Sequence, residues 1–125
     1  MEAPPLRILA VDNEPSIILS MRFVFDGPRY ELTCVGNGSA ALAKLDANSN
    51  LYDVIIVDQK MPGMSGSDVV KAVRARGITC KIIVVSAYLN PELRDTYAQM
   101  GVDAMFSKPF SVEELRAAVD HVLVN

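Results

Sequence analysis

Four short polar groups each follow an apolar run. Asp12-Asn13-Glu14 follows Ile8-Leu9-Ala10-Val11, and Asp58-Gln59-Lys60 follows Val54-Ile55-Ile56-Val57 and leads into Met61-Pro62-Gly63-Met64-Ser65-Gly66. Ser86-Ala87-Tyr88 follows Ile82-Ile83-Val84-Val85, and Ser107-Lys108-Pro109-Phe110 follows the weaker run Ala104-Met105-Phe106. Carboxylates, a hydroxyl and an ammonium are therefore on offer at four separate places. The chemistry that uses such a set is phosphoryl transfer to a carboxylate. An aspartate oxygen attacks phosphorus and holds an acyl phosphate. Nucleophile and phosphoryl group are both anionic, and Mg²⁺ held by further oxygens offsets their repulsion. A lysine serves one phosphoryl oxygen as a point charge, and a serine hydroxyl donates to another.

Something must bring these groups together. The apolar runs are rich in β-branched residues and do not alternate with polar ones, which suits strands covered on both faces. Leu32-Thr33-Cys34-Val35 is a weaker run of the same kind. Helical patterns lie between the runs: Pro15 to Phe25, Ser39 to Asp46, and Ser67 to Arg76 with a stop at Gly77. Asn90-Pro91-Glu92 starts another, which ends near Gly101. Ser111-Val112-Glu113-Glu114 reads as a capping box, followed by Leu115, Ala118, Val119 and Val122 at helical spacing. The order is βα repeated five times. It predicts an α/β fold: a doubly wound, five-stranded parallel sheet with right-handed crossovers and helices on both faces. In such a sheet, sites form beyond the carboxyl ends of the strands, where all four polar groups would lie.

Composition limits the possibilities. The 125 residues are 50% apolar and 22% charged, enough for one domain (residues 1–125, core about 6–124) that buries roughly two-thirds of its unfolded surface. A net charge of −3 argues against direct nucleic-acid binding, which needs a basic face. The apolar runs are far shorter than the roughly 20 residues that span a bilayer. Met1-Glu2-Ala3-Pro4-Pro5 is not the start of a signal peptide. A cytoplasmic location is expected. Cys34 and Cys80 form no CxxC and read as buried free thiols in a reducing compartment. His121 is the only histidine and reads as a surface residue, so a histidine-rich or Cys/His zinc site is excluded. Neither GxxxxGK[ST] nor GxGxxG occurs.

Val11-Asp12-Asn13-Glu14-Pro15, Asp58 with Met61 to Gly66, Ser86-Ala87 and Lys108-Pro109-Phe110 together closely resemble the receiver domain of two-component response regulators, over essentially the whole chain. The resemblance implies a flavodoxin-like (βα)5 fold with strand order 2-1-3-4-5. It implies Asp58 as phospho-acceptor, Asp12 and Asn13 at the acidic pair that binds Mg²⁺, and the main-chain carbonyl of Gln59 as a third protein ligand. Ser86 takes the place of the switch hydroxyl. Lys108 takes that of the phosphate-pairing lysine, with a cis bond to Pro109. Lys60 and Tyr88 would flank the path of the hydrolytic water and prolong the phosphoryl lifetime. Two positions depart from the pattern. Asn13 brings no charge, so weaker metal binding is expected unless Glu14 swings in. Met105 stands where the family usually has a switch aromatic.

Plainer readings exist for single residues. Asp12 alone reads as a helix cap, and Glu14 as a solvated first-turn residue. Alone, Ser86 is a strand-end hydroxyl and Lys108 an exposed lysine. The joint pattern favours the site. The implied function is a phosphorylation-controlled switch. A sensor histidine kinase or phosphotransfer protein phosphorylates Asp58, and the face formed by residues 91–124 is read by a downstream protein or by an output domain outside this sequence. The oligomer expected is a monomer or a weak phosphorylation-dependent dimer. The alternative is a receiver-like binding module that no longer uses phosphorylation. An enzyme is not expected beyond self-phosphorylation from small phosphodonors and slow autodephosphorylation. An aspartyl-phosphate phosphohydrolase would carry a second aspartate where Lys60 stands.

Overall fold

A computed structural model describes residues 4–122. Among them five strands alternate with five helices. They run β1 (Leu6–Val11), α1 (Pro15–Val24), β2 (Tyr30–Val35), α2 (Gly38–Ala47), β3 (Val54–Asp58), α3 (Gly66–Ala75), β4 (Lys81–Ser86), α4 (Pro91–Gln99), β5 (Ala104–Ser107) and α5 (Val112–Val122). All pairings are parallel and the order is β2-β1-β3-β4-β5. This is the expected flavodoxin-like arrangement. The expected core and the expected signalling face both run to Val124, which lies outside the described residues.

The apolar runs explain the layers. In β1, Leu9 and Val11 point to one face and Ile8 and Ala10 to the other, since successive strand side chains alternate. The first face continues through Ile55, Val57, Ile82 and Val84 and is covered by α2, α3 and Tyr97 of α4. The second continues through Val54, Ile56, Ile83 and Val85 and is covered by Met21 and Val24 of α1 and by Leu115, Val119 and Val122 of α5. β3 is buried at every position, because it lies between two neighbours and two helix layers.

Local sequence sets where the helices start. Asn37, Ser65 and Asn90 accept the N–H of Ala40, Asp68 and Leu93 respectively. At α3 the Asp68 carboxylate returns the bond to the Ser65 N–H at 3.1 Å, completing a capping box. At α5, Ser111 Oγ accepts the Glu114 N–H at 3.0 Å. α1 starts differently: its N-cap Glu14 makes no side-chain cap bond and Pro15 supplies the preset turn.

The thiols are less hidden than expected. Cys34 and Cys80 are free and only partly buried, because Cys34 is on the edge strand β2 and Cys80 precedes β4. Each packs against a different face of the sheet. Burial holds both thiols above their ordinary pKa, Cys80 at about 11. His121 is exposed, as expected. No helix among the described residues is long and apolar enough to cross a membrane.

Candidate functional site

β1 and β3 are adjacent, and Asp12, just after β1, and Asp58, the last residue of β3, lie at the same carboxyl-terminal end of the sheet. Both residues are 1% exposed. The Asp12 carboxylate accepts the Glu14 N–H at 2.9 Å. That short turn swings the chain into α1 and brings the Glu14 carboxylate over the same end. One oxygen of each of Asp12, Glu14 and Asp58 lies within 4.8 Å of the others. The floor of the site is thus a three-carboxylate cluster. Glu14 is the acid that joins the aspartates, and both it and Asn13 are exposed. Glu14 is solvated, as the sequence suggests, with half of its side chain exposed, and its carboxylate nevertheless reaches the aspartates in place of Asn13.

Lys108 comes from the other side. Its N–H donates to the Ser86 carbonyl at 2.6 Å, and the bond that follows, to Pro109, is cis as expected. The ammonium lies 3.2 Å from Asp12, 3.0 Å from Glu14 and 3.3 Å from Asp58. One cation thus faces three carboxylates, leaving an excess of negative charge. Burial, and then the charge of Asp12, pushes the Asp58 carboxyl above the usual carboxylate range, although Lys108 and the Lys60 amide pull it down. For Lys108, burial works to lower the pKa, but the contacts with Glu14, Asp12 and Asp58 outweigh it and hold the ammonium above its ordinary value. Asp58 Oδ2 is buried and has no hydrogen-bond partner. Such an oxygen is costly unless something binds it.

Glu14, Asp58 and Lys108 line a cleft of about 440 Å³ with Asn13, Lys60, Met61, Pro62 and Ala87. An orphaned carboxylate oxygen beside two more carboxylates is the donor set of a hard divalent cation, and Mg²⁺ fits it.

The remaining expected residues divide. Lys60 lines the cleft. Ser86 is buried at the end of β4, but its hydroxyl donates to the Tyr88 carbonyl at 3.1 Å and accepts the Tyr88 N–H at 3.2 Å. The Tyr88 side chain is 73% exposed, so it stands outside the cleft and contributes through its backbone. The Gln59 carbonyl is not directed to the cleft as expected. It accepts the Gly66 N–H at 2.9 Å, which ties it to the start of α3. Its side chain accepts the Ser67 N–H at 3.0 Å and the Tyr97 hydroxyl. Met105 is partly buried and packs on the face covered by α2, α3 and α4, whereas Phe106 packs on the opposite face.

The family model for the response regulator receiver domain matches residues 8–120. The chain is a receiver domain. Its relatives agree. Sensory transduction protein RegX3 of Mycolicibacterium smegmatis is 34% identical over 93% of this chain, which spans 50% of that protein. Sporulation initiation phosphotransferase F of Bacillus subtilis is 28% identical, over 94% of this chain and 93% of the relative. A Haloferax volcanii protein described as a putative transcriptional regulator is 31% identical, and the receiver chain spans 19% of it. The chain thus spans half or less of several relatives. Among solved structures, chemotaxis protein CheY4 of Vibrio cholerae superposes with a TM-score of 0.86 at 31% identity, covering 94% of this receiver and 98% of that chain. Response regulator TrrA of Thermotoga maritima, solved with Mg²⁺ and BeF, does so with a TM-score of 0.80 at 33% identity, over 94% and 98%.

Proposed function

We propose that this receiver domain is a phosphorylation-controlled switch whose acceptor is Asp58. The observation that carries this reading is the buried Asp58 carboxylate, with one oxygen unpartnered, facing two acidic neighbours and one lysine. In the transfer step an Asp58 oxygen bonds to phosphorus as the bond from phosphorus to the donor breaks. The donor leaves with the bonding electron pair, and a mixed anhydride remains on Asp58. Asp12, Glu14 and Asp58 would hold Mg²⁺, with the main chain at Lys60 a better further candidate than Gln59. The bound ion supplies the positive charge that lets two anions meet. Lys108 moves from carboxylates to a phosphoryl oxygen. The Ser86 hydroxyl exchanges its Tyr88 contacts for another. This exchange makes the product state differ from the resting one.

A sensor histidine kinase or phosphotransfer protein is the donor. A groove beside the cleft, lined by Ile17, Ser20, Pro109 and Phe110, and the exposed Leu19 and Phe23 of α1 offer it apolar surface. The response is delivered through α4, β5 and α5 to a downstream protein or an attached output domain in the cytoplasm. The domain itself turns over no external substrate.

The test is incubation with acetyl phosphate and Mg²⁺, followed by intact mass measurement. A single acid-stable, base-labile phosphoryl adduct that disappears in Asp58→Asn is expected. An adduct that survives Asp58→Asn, or none at all, would favour a phosphorylation-independent binding module.

A further inference from the structure

α4 is thinly anchored. Tyr97 is its only fully buried residue, and Leu93 and Met100, its C-cap, are partly buried against the same face. Three tethers hold it. At its C-terminal end the Arg74 guanidinium donates to the carbonyls of Met100 at 3.0 Å and Gly101 at 2.9 Å. The same group donates to Ile78 and Cys80 in the loop after α3, which fixes this end to the body of the domain. Before its N-terminal end, the Ser86 hydroxyl holds the Tyr88 backbone. At its centre, the Tyr97 hydroxyl bonds the side chain of Gln59, the residue next to Asp58.

We infer that the Tyr97–Gln59 bond is a latch that holds α4 in its resting position and opens when the cleft is occupied. This inference rests on the switch reading above and names the joint through which the switch acts. Ser86 has one hydroxyl proton, so donating it to a phosphoryl oxygen frees the Tyr88 carbonyl and leaves the N-terminal tether with only the Tyr88 N–H contact. The C-terminal tether stays. α4 then swings about the Arg74 end, and the swing draws Tyr97 off Gln59. Gln59 tolerates the loss because its Oε1 keeps the Ser67 N–H at 3.0 Å, while the freed tyrosine hydroxyl turns to water. Gln59 is otherwise rigid: its N–H donates to Val85 and its carbonyl accepts from Gly66. A shift of the Asp58–Lys60 backbone therefore reaches Tyr97 directly. Met105, flexible and packed in the same cluster, accommodates the movement without an aromatic ring of its own. Coupling is reciprocal, so a partner that binds released α4 tightens the cleft for its ligand by the same factor.

The test uses the full chain with Mg²⁺ and beryllofluoride. Fluorine NMR reports occupancy, and amide hydrogen exchange reports the peptides across residues 91–99. Tyr97→Phe deletes only the hydroxyl. Gln59→Met removes the acceptor from the other side. Tyr30→Phe is the control, because its hydroxyl bonds Asp120 on the opposite face of the sheet. In wild type and Tyr30→Phe, beryllofluoride is expected to speed α4 exchange about threefold to tenfold, the range one net hydrogen bond supplies. Tyr97→Phe and Gln59→Met should exchange at the raised rate without ligand, respond little to it, and bind it more tightly by a similar factor. A bound fluorine signal with wild-type exchange and response in both variants overturns the latch alone. Absence of that signal in wild type overturns the switch reading and the latch with it.

Discussion

The surroundings of Asp58 work against its charged form. Its carboxyl is raised by burial and by Asp12, so over the window from the ordinary carboxylate pKa to its raised folded value, the folded chain holds more protons than the unfolded one. Stability therefore falls as pH rises through that window. Asp58→Asn removes the charge and leaves the shape. At pH 7 it should melt a few degrees above wild type, equivalent to about 1 kcal/mol, and the gap should close as pH drops from the raised folded value toward the ordinary carboxylate range. Calorimetry across pH checks this, and a lower melting temperature at pH 7 would refute it. Lys60 and Tyr88 separate at the same scale. Lys60 lines the cleft while the Tyr88 ring points to solvent, so Lys60→Ala should shorten the phosphoryl lifetime several-fold and Tyr88→Ala much less. Acid-quenched decay of the adduct measures both, and no acceleration in either variant would sink the role of bulk. Asp12, Asp58 and Lys108 could be read from the sequence because each follows an apolar run whose end fixes its position. Glu14 and Gln59 could not. Their roles depend on which way one carboxylate and one peptide turn, and the Asp12 turn and the Gly66 N–H settle that only in the folded chain.

Elements are legible where hydrophobic runs are unbroken. β1, β3 and β4 stand out because both of their faces are covered. β2 and β5 are weaker because they lie at the sheet edges and are less buried. The caps at Asn37 and Ser65 are not legible in the sequence, since an Asn or Ser in a polar loop signals a helix start only when the first helical turn is known. Gly66 shows how closely the elements approach. A Cβ there would lie 2.5 Å from the Asp58 carbonyl oxygen, 2.7 Å from the Tyr97 hydroxyl and 2.8 Å from the Gln59 Cα. Two of these are backbone atoms of the acceptor strand and its exit and cannot turn aside. Gly66→Ala should push α3 off the strand end, cost about 2 kcal/mol or more, and reduce acetyl-phosphate labelling. Gly36→Ala, where a Cβ meets nothing within 4 Å, should change neither by more than a small margin. Denaturant melts and adduct yield distinguish the two, and equal behaviour would mean the close approach is relieved elsewhere.

At the scale of the whole molecule, the sheet divides the chain into two chemically separate faces. Cys34 and Cys80 pack on opposite ones, so no internal disulfide joins them. The cleft is different, because it exists only when β1, β3 and β5 are assembled: Asp12, Asp58 and Lys108 are far apart in sequence and have no reason to meet in the unfolded chain. A cation bound by the three carboxylates therefore stabilises the folded state alone, by mass action, and at a hundredfold its Kd the gain is about 2.7 kcal/mol. For a domain of this size that is a rise in Tm of roughly 10 °C. Mg²⁺ should produce this rise in wild type, EDTA should reverse it, and the effect should persist in moderate salt because Asp12 and Asp58 are shielded from screening. In Asp58→Asn the rise should largely vanish, since one charged ligand is gone and the repulsion that the ion relieves is already absent. The two proteins should thus change order: Asp58→Asn is the more stable without Mg²⁺ and wild type the more stable with it. If wild type fails to respond to Mg²⁺, or the variant responds equally, the carboxylate cluster is not a cation site. The charge at this end of the sheet would then be a burden that Lys108 alone relieves.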